Sequence, residues 1–375
     1  MTDARVARPG ISSAAGRDRL TRRSFLGSLA AMAATPALAA APAAAAGLVP
    51  RAGRAAGQGT GAAEAPPIPV RAWNHMTLTV TDIGRSREFY QGLFGMTIAA
   101  RQAQTLILQV GDGPQFIALG GGRPDVTPHI NHFCLTVDAF DDERLVGILG
   151  EHGVAPTDVP GQNAAERVRV RMRGAEFGGA PEGTPELYLG DPDGVVVQLQ
   201  DTTYCGGEGL LGELCPSPEP AAGDGVIAVR DINHFTVFVS DQARSIAFYQ
   251  GLFGMPSTRS QGALPLLSVG SGRQFLALAP GPGPARIHHA CLTMENFQHE
   301  EVMANLEGFG IQPRSEGAQG PVGPLTSYVT MRMPDRDGAP GGTPELYFTD
   351  PDGILLQLQD VRYCGGGGYL GDVCT

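Results

Sequence analysis

The sequence predicts an α+β protein made of four related units, each a strand followed by a helix and further strands, joined in pairs into two tandem domains. Three observations predict this fold: a long internal repeat, strands in which apolar and polar residues alternate, and short helices with recognisable start and stop residues. The chain length of 375 residues agrees, because it exceeds what one domain of about 150 residues would need.

The internal repeat is exact over several separated segments. Phe89–Met96 recurs residue for residue at Phe248–Met255. Later segments repeat in the same order: Gly183–Tyr188 at Gly342–Tyr347, Asp191–Gly194 at Asp350–Gly353, and Tyr204–Gly207 at Tyr363–Gly366. Identity at nearly constant spacing indicates a duplicated domain.

Each copy is itself divided into two strand–helix–strands units. In the first, 75–80 alternates like a half-buried strand, Asp82 is placed to cap a helix over 85–93, and Gly95 ends that helix. A second strand bearing a histidine, 130–137, opens the next unit. The remaining predictions for this copy are a helix near 141–152 and strands at 105–110, 115–119, 167–173, 186–189 and 195–200.

The first 46 residues resemble a twin-arginine export signal. Arg22 and Arg23 precede Phe25-Leu26 and an Ala-rich apolar run, which is typical of a leader and not of a folded segment. The resemblance implies the twin-arginine translocase as a partner during export and a periplasmic or extracellular protein; a single membrane anchor is the alternative. The predicted organisation is signal peptide 1–46, flexible linker 47–70, first domain 71–215, linker 216–226 and second domain 227–375.

Composition excludes several classes of function. All 27 basic residues are Arg, so lysine Schiff-base chemistry and a phosphate-binding loop with its Lys are excluded. The net charge of −11 argues against nucleic acid as a partner, since that polyanion is bound through concentrated positive charge. Contact with a membrane is predicted only through the leader.

The six cysteines fall into three duplicated sets. Cys205 and Cys215, like Cys364 and Cys374, flank a Gly-rich segment, and in an exported protein each pair is predicted to form a local disulfide. Zinc binding by these pairs is the alternative. Cys134 and Cys291 are predicted to be small buried residues.

A His on the opening strand, Phe-Tyr followed by Gly-Leu-Phe-Gly-Met, a second His strand, and Asp-Pro-Asp-Gly before a final strand together resemble the vicinal oxygen chelate superfamily. That superfamily includes glyoxalase I, extradiol ring-cleavage dioxygenases and bleomycin-resistance proteins. The likeness spans residues 72–205 and 231–364. It implies βαβββ modules that pair into a cupped sheet around one divalent metal, so four modules make two glyoxalase-like domains.

The resemblance also implies a ligand set, which is His75, His132 and Gln198 in the first copy and His234, His289 and Gln357 in the second. The superfamily usually has Glu at the last position, and both copies here have Gln. Strand alternation supports the set, because residues two apart on a strand share a face. A small-molecule substrate and a divalent metal are therefore expected, with Fe²⁺ or Mn²⁺ first and Zn²⁺ or Ni²⁺ as alternatives.

Other polar residues recur near these positions. Tyr188 and Tyr347 are candidates to donate a hydrogen bond to substrate, with ordinary packing as the alternative. Arg173 and its counterpart Arg332 are candidates to clamp a substrate carboxylate, with a solvated strand face as the alternative. Two further residues are candidates for the family's optional fourth ligand or for a structural role: Gln115 and Gln274.

The leading functional hypothesis is an exported metal-dependent enzyme acting on a small oxygenated substrate, first of all an extradiol-like dioxygenase. A glyoxalase-type lyase or isomerase is the second hypothesis, since both copies keep the same three predicted ligands, two His and one Gln. A metal-free protein that binds a small ligand is the third, and the two Gln residues are its best support.

Overall fold

The computed structural model describes residues 65–158, 164–318 and 322–374. The predicted signal peptide and residues 47–64 of the predicted linker lie outside the described residues. Within the described ranges the chain forms two nine-stranded mixed sheets with few helices, which confirms the predicted α+β class. No helix in these ranges is both long enough and apolar enough to cross a membrane.

The two halves contain matching elements. The first half has helices α1 (Ile83–Phe94) and α2 (Asp142–Glu151) and strands β1 (Val70–Val80), β2 (Ile98–Gln102), β3 (Thr105–Gln109), β4 (Phe116–Gly121), β5 (His129–Val137), β6 (Ala155–Pro156), β7 (Arg167–Arg173), β8 (Thr184–Gly190) and β9 (Val196–Asp201). The second half has helices α3 (Gln242–Phe253) and α4 (His299–Phe309) and strands β10 (Val229–Val239), β11 (Ser257–Gln261), β12 (Leu264–Ser268), β13 (Phe275–Pro280), β14 (Arg286–Met294), β15 (Gln312–Pro313), β16 (Thr326–Arg332), β17 (Thr343–Thr349) and β18 (Leu355–Asp360).

The strand order places the opening strands of the two units at the centre of each sheet. In the first half the order is β2-β3-β4-β1-β5-β9-β8-β7-β6, and the second half repeats it. β1 and β5 pair antiparallel, while β1 pairs parallel with β4 and β5 pairs parallel with β9. Both predicted His-bearing strands are therefore direct neighbours.

Alternation along β1 separates the two faces of the sheet as predicted. Met76, Leu78 and Val80 are completely buried in the core, while His75 and Thr77 line a cavity on the other face. We call the sheet face that carries His75 the first cup and the face that carries His234 the second cup. Sequence reasoning missed two strands of the first half: β2, in which an Ala-Ala pair hides the alternation, and β6, which is only two residues long.

The helix signals are confirmed at both ends of α1. The Asp82 carboxylate accepts a hydrogen bond from the backbone N–H of Arg85 at 3.0 Å, which satisfies a donor that the first helical turn leaves unpaired. Gly95 ends the helix in the left-handed conformation, with φ of 67°. This conformation favours Gly because it has no Cβ.

The two halves exchange hydrogen bonds through the recurring glutamines. Gln115 donates to the carbonyl of Trp73 at 2.8 Å and accepts from the N–H of Ile232 at 2.8 Å. Gln274 makes the reciprocal pair, donating to the carbonyl of Ile232 at 2.8 Å and accepting from the N–H of Trp73 at 3.0 Å. Both side chains are therefore structural, and neither is placed to act as a fourth metal ligand.

Helices α1 and α3 also contact the opposite half. The Tyr90 hydroxyl donates to Asp350 at 3.1 Å, and the Tyr249 hydroxyl donates to Asp191 at 3.1 Å. Each aspartate is the first residue of an Asp-Pro-Asp-Gly turn and is completely buried. Burial raises the pKa of both carboxyl groups to about 6.

We expect Asp191→Asn to remove a pH dependence of stability. Because the folded-state pKa of Asp191 lies above that of the unfolded chain, the folded state binds more protons between about pH 4 and 6. The free energy of unfolding of the native chain, relative to that of the variant, should therefore fall by on the order of 2–3 kcal/mol as pH rises through this window. Urea denaturation at several pH values measures the difference.

The control for this measurement is Asp138→Asn. Asp138 is exposed, and its pKa is lowered by its hydrogen bond and ion pair with Arg71. Its removal should leave the Asp191 effect in place. An Asp191→Asn variant with the same pH profile as the native chain would contradict the prediction.

Candidate metal centre

The sheet register brings the predicted ligands of the first half together. Four residues are register partners in sequence across the sheet and so lie side by side. They are His75 on β1, Cys134 on β5, Gln198 on β9 and Tyr188 on β8. His132 lies two residues before Cys134 and so shares its face. The His75 Nε2 and Gln198 Oε1 atoms are 3.0 Å apart, and the two imidazole rings are 5.6 Å apart between centroids.

The second half repeats this arrangement almost unchanged. His234, Cys291, Gln357 and Tyr347 form the same row on β10, β14, β18 and β17. The His234 Nε2 and Gln357 Oε1 atoms are again 3.0 Å apart, and the ring centroids of His234 and His289 are separated by 5.5 Å. All six side chains predicted as ligands therefore lie in two equivalent clusters.

An asparagine determines which nitrogen of His75 carries the proton. The Asn74 amide donates through Nδ2 to the carbonyl of Tyr204 at 2.8 Å, so its Oδ1 is directed at His75 Nδ1, 2.7 Å away. His75 must then donate through Nδ1, and a neutral imidazole has only that one N–H. Its Nε2 consequently carries a lone pair. In the second half Asn233, Tyr363 and His234 repeat these contacts.

The second imidazole of each cluster is oriented by its preceding residue. His132 Nδ1 lies 2.8 Å from Asn131 Oδ1, and its Nε2 faces the Thr77 hydroxyl at 3.1 Å. In the second half His288 replaces this asparagine, with 2.8 Å between the Nδ1 atoms of His288 and His289. His289 Nε2 is buried and has no hydrogen-bond partner among the described residues.

Burial keeps all four imidazoles neutral. It lowers the pKa of His132 and His234 to about 3. It also lowers the pKa values of His75 and His289 well below the ordinary value, and the neighbouring histidine adds to the effect in each case. Neutral imidazoles are the form that binds metal, so protons do not compete for these lone pairs near neutral pH.

The donor atoms fit a divalent cation. With Nδ1 as the donor, His75 Nε2 and Gln198 Oε1 are two lone-pair atoms in contact, an arrangement that is unfavourable unless a cation lies between them or the amide is turned. In the second cup, His289 Nε2 is a further buried ring nitrogen without a hydrogen-bond partner among the described residues. No group of three or more His, Cys, Asp and Glu side chains in the described ranges is arranged to hold a metal ion; each cluster here has Gln as its third member.

Cys134 and Cys291 are buried and free, as predicted. Burial raises the pKa of each thiol well above the ordinary value. They therefore remain protonated thiols beneath the clusters and are poor metal ligands.

The tyrosines predicted as substrate donors are already engaged as donors. Tyr188 lines the first cup, but its hydroxyl donates to Glu186 at 3.0 Å, and Tyr347 donates to Glu345 at 3.4 Å. Burial raises the pKa of both hydroxyl groups well above the ordinary value. Each tyrosine can therefore offer a substrate its hydroxyl oxygen as an acceptor, while its proton is held by the carboxylate.

The two predicted carboxylate clamps are wrong. Arg173 and Arg332 have no exposed side-chain surface and pair with Glu186 at 2.7 Å and Glu345 at 2.8 Å. The remaining nitrogens of Arg173 donate to backbone carbonyls, including that of Gly207 at 2.9 Å. Strand alternation places Arg173 on the predicted face of the sheet. Its partner Glu186 lies on the neighbouring strand, so the guanidinium belongs to a buried structural ion pair.

The predicted disulfides are present. Cys205 is bonded to Cys215 and Cys364 to Cys374, with Cα atoms 6.2 and 6.3 Å apart. Each closes the loop that follows the last strand of its half. The first of these loops starts beside Tyr204, whose carbonyl orients Asn74 and whose hydroxyl donates to Glu186 at 3.1 Å.

The first cup contains a cavity of about 300 Å³, at the lower end of the range for small-molecule sites. His75, His132 and Gln198 line its base, and Arg171 and Tyr188 line its wall. Phe116 stacks on His75 with 4.3 Å between ring centroids. This geometry suits a small planar ligand that reaches the cluster with one edge.

A family model covers more than half of the chain, in two stretches that coincide with the duplicated halves. Residues 72–199 and 231–358 match the Glyoxalase/Bleomycin resistance protein/Dioxygenase superfamily. The chain belongs to this superfamily. A search of curated protein sequences yields no match.

Solved structures of this superfamily type resemble the fold at low sequence identity. Homoprotocatechuate 2,3-dioxygenase from Arthrobacter globiformis aligns with a TM-score of 0.51 and 18% identity, over 79% of this chain and 82% of that chain. The 2,3-dioxygenase LapB from Pseudomonas sp. KL28 gives 0.53 and 16%, over 78% and 94%. A catechol 2,3-dioxygenase gives 0.50 and 14%, over 80% and 89%. At these identities the likeness shows the fold.

Proposed function

We propose that this chain is a metal-dependent enzyme whose substrate presents two adjacent oxygens to the metal, and that it cleaves the ring of a small aromatic diol with dioxygen. The observation that carries the proposal is the repeated cluster of two His and one Gln, in which an asparagine sets the tautomer of the first imidazole in each half. The two histidines and the glutamine of each half would hold one Fe²⁺ or Mn²⁺ ion.

The cation, when bound, would polarise the substrate oxygens and support reaction with dioxygen. The chain's own contribution is orientation. Asn74 directs the Nε2 lone pair of His75 into the cup, and the stacked Phe116 ring fixes the imidazole plane. Such outer partners typically affect metal affinity by about 10–100-fold.

Tyr188 and Glu186 supply a hydrogen-bond acceptor beside the cluster. The Tyr188 proton points to Glu186 Oε2, so a substrate hydroxyl in the cup can donate to the phenolic oxygen. Glu186 also accepts from Arg173 and Tyr204, which keeps its charge compensated. This arrangement orients one hydroxyl of a diol while the adjacent oxygens face the ligand cluster.

The glutamines favour one second candidate, a metal-free protein that binds a small ligand. A neutral amide holds a divalent cation less tightly than the carboxylate usual at this position. The cups would then sequester an aromatic molecule without changing it.

Export to the periplasm or beyond is also proposed, since disulfides of this kind persist in oxidising compartments.

Metal analysis separates these candidates. We expect about two ions of iron or manganese per chain after gentle purification from the native host, with oxygen uptake in a screen of catechols, hydroquinones and 2-oxoaldehydes. Conversion of a 2-oxoaldehyde without oxygen uptake would favour the lyase or isomerase chemistry of a glyoxalase instead. Ligand binding at a negligible metal content would favour the metal-free protein.

Restoring the carboxylate tests the position of the third ligand. We expect Gln198→Glu, and separately Gln357→Glu, to raise metal affinity about tenfold or more, because each adds one negative charge at the cation. Competition with a chelator measures the change. The exposed residue Gln312 on the edge strand β15 gives a control substitution, Gln312→Glu, which should change affinity little. Unchanged affinity in both ligand variants would show that these glutamines do not contact the metal.

A further inference from the structure

The two cups carry the same predicted ligand residues but differ on one strand, which is β7 in the first half and β16 in the second. On β7, Arg169 and Arg171 face Tyr188 and Glu186 of the neighbouring strand. At the same register on β16, Tyr328 and Thr330 face Tyr347 and Glu345. The duplication therefore keeps the clusters and changes the charge of the strand beside them.

Arg171 is placed to contact a ligand in the first cup. It lines the cavity together with His75, His132 and Gln198, and its side chain is about half exposed. Its Nε pairs with Glu186 at 3.0 Å. Within the described ranges its terminal nitrogens make no hydrogen bond, so a planar fork of donors remains available on the cavity wall.

The glutamate beside each cluster has two cationic partners in the first cup and one in the second among the described residues. Glu186 is the partner of two guanidinium groups, those of Arg171 and Arg173, and Arg169 lies over the Tyr188 ring at 4.7 Å. In the second cup Glu345 pairs with Arg332 alone among the described residues. Arg314 approaches that end, but its charge lies over the Tyr328 ring at 4.3 Å and is not paired with Glu345.

We propose that the first cup takes a substrate that carries a carboxylate or a similar planar anionic group beside its two chelating oxygens, bound by the terminal nitrogens of Arg171, and that the second cup takes an uncharged one. This inference rests on the proposed function. The ligand clusters are neutral, so a divalent cation there adds positive charge and further favours an anion. A guanidinium fork matches a carboxylate with two parallel hydrogen bonds, which the hydroxyl of Thr330 cannot reproduce.

Exchange of the two residues tests the inference. Anaerobic calorimetry of the full metal-loaded chain with catechol and with 3,4-dihydroxybenzoate gives the affinity of each cup for an uncharged and a carboxylated diol, because neither diol can be cleaved without dioxygen. We expect the native chain to bind one equivalent of 3,4-dihydroxybenzoate tightly. Arg171→Thr should weaken that binding about 10- to 100-fold and change catechol binding little, while Thr330→Arg should create a second tight equivalent.

Arg167→Thr is the matched control, because it removes one exposed positive charge from the same strand outside the cavity lining. It should leave both affinities near their native values. Equal affinity of the native chain for the two diols, or a preference for the carboxylated diol that survives Arg171→Thr, would overturn this inference and leave the proposed function standing. If neither diol binds to chain that holds its metal, the proposed function fails, and this inference fails with it.

Discussion

His75→Ala should abolish metal binding in the first cup and leave the second cup loaded, so that metal content falls by half. The imidazole is one of only three donors that we assign to the cation. Its loss should therefore lower affinity by more than the roughly 10–100-fold attributed to outer partners. Elemental analysis after dialysis measures the content, and oxygen uptake with each diol measures the activity that remains.

His234→Ala is the reciprocal experiment in the second cup, and the double variant should retain no metal. His152→Ala is the control, because His152 is exposed at the end of α2. Circular dichroism establishes that the variants are folded. Full metal content in the double variant would rule out both clusters as metal sites, while loss in only one single variant would show that one cup alone is loaded.

Arg173→Met should destabilise the protein by about 3–5 kcal/mol, the range measured when one partner of a buried ion pair is removed. Glu186 would be left buried with only the half-exposed Arg171 as a cationic partner. The Cys205–Cys215 loop would also lose the hydrogen bond from Arg173 to Gly207. Chemical denaturation followed by fluorescence measures the free energy of unfolding.

Two comparisons distinguish this structural role from the clamp predicted by sequence. Arg332→Met removes the equivalent pair of the second half and should cost a similar amount. Arg171→Thr removes an exposed cation and should cost at most about 1 kcal/mol. A stable Arg173→Met variant with weakened carboxylate binding would restore the substrate-clamp interpretation.

The ligand residues could be named from the sequence because the resemblance to the superfamily assigns them, and two features of the sequence support that assignment. Strand alternation assigns His75 and Gln198 to one face each, and the repeat gives a second example of every ligand. The α+β fold could be predicted because its strand alternation, its Asp-Pro-Asp-Gly turns and the Asp and Gly caps of α1 and α3 occur in both copies. The pairing register of β5 and β9 could not be predicted, because it depends on how these strands pack between their neighbours in the sheet.

The residues that sequence reasoning missed act through partners distant in the chain. Asn74 orients His75 only because the carbonyl of Tyr204, 130 positions later, holds its amide. Glu186 accepts hydrogen bonds from Arg173, Tyr188 and Tyr204 and pairs with Arg171, and three of these four partners lie outside its own strand. A signal was present in both cases, since Asn-His and Pro-Glu-Leu-Tyr recur in the two copies, but repetition alone does not distinguish an orienting residue from a packing one.

The reciprocal contacts of Gln115 and Gln274, and of the Tyr–Asp pairs between helices and turns, limit how the two copies can diverge. After a gene duplication each copy can normally accumulate substitutions independently of the other. Here a change in the shared framework of one copy is felt by the other, because every such contact spans both. Substitutions on the outer strands, such as Arg171 on β7 against Thr330 on β16, leave these shared contacts in place. One chain can therefore carry two cups that differ in charge while their common framework is retained.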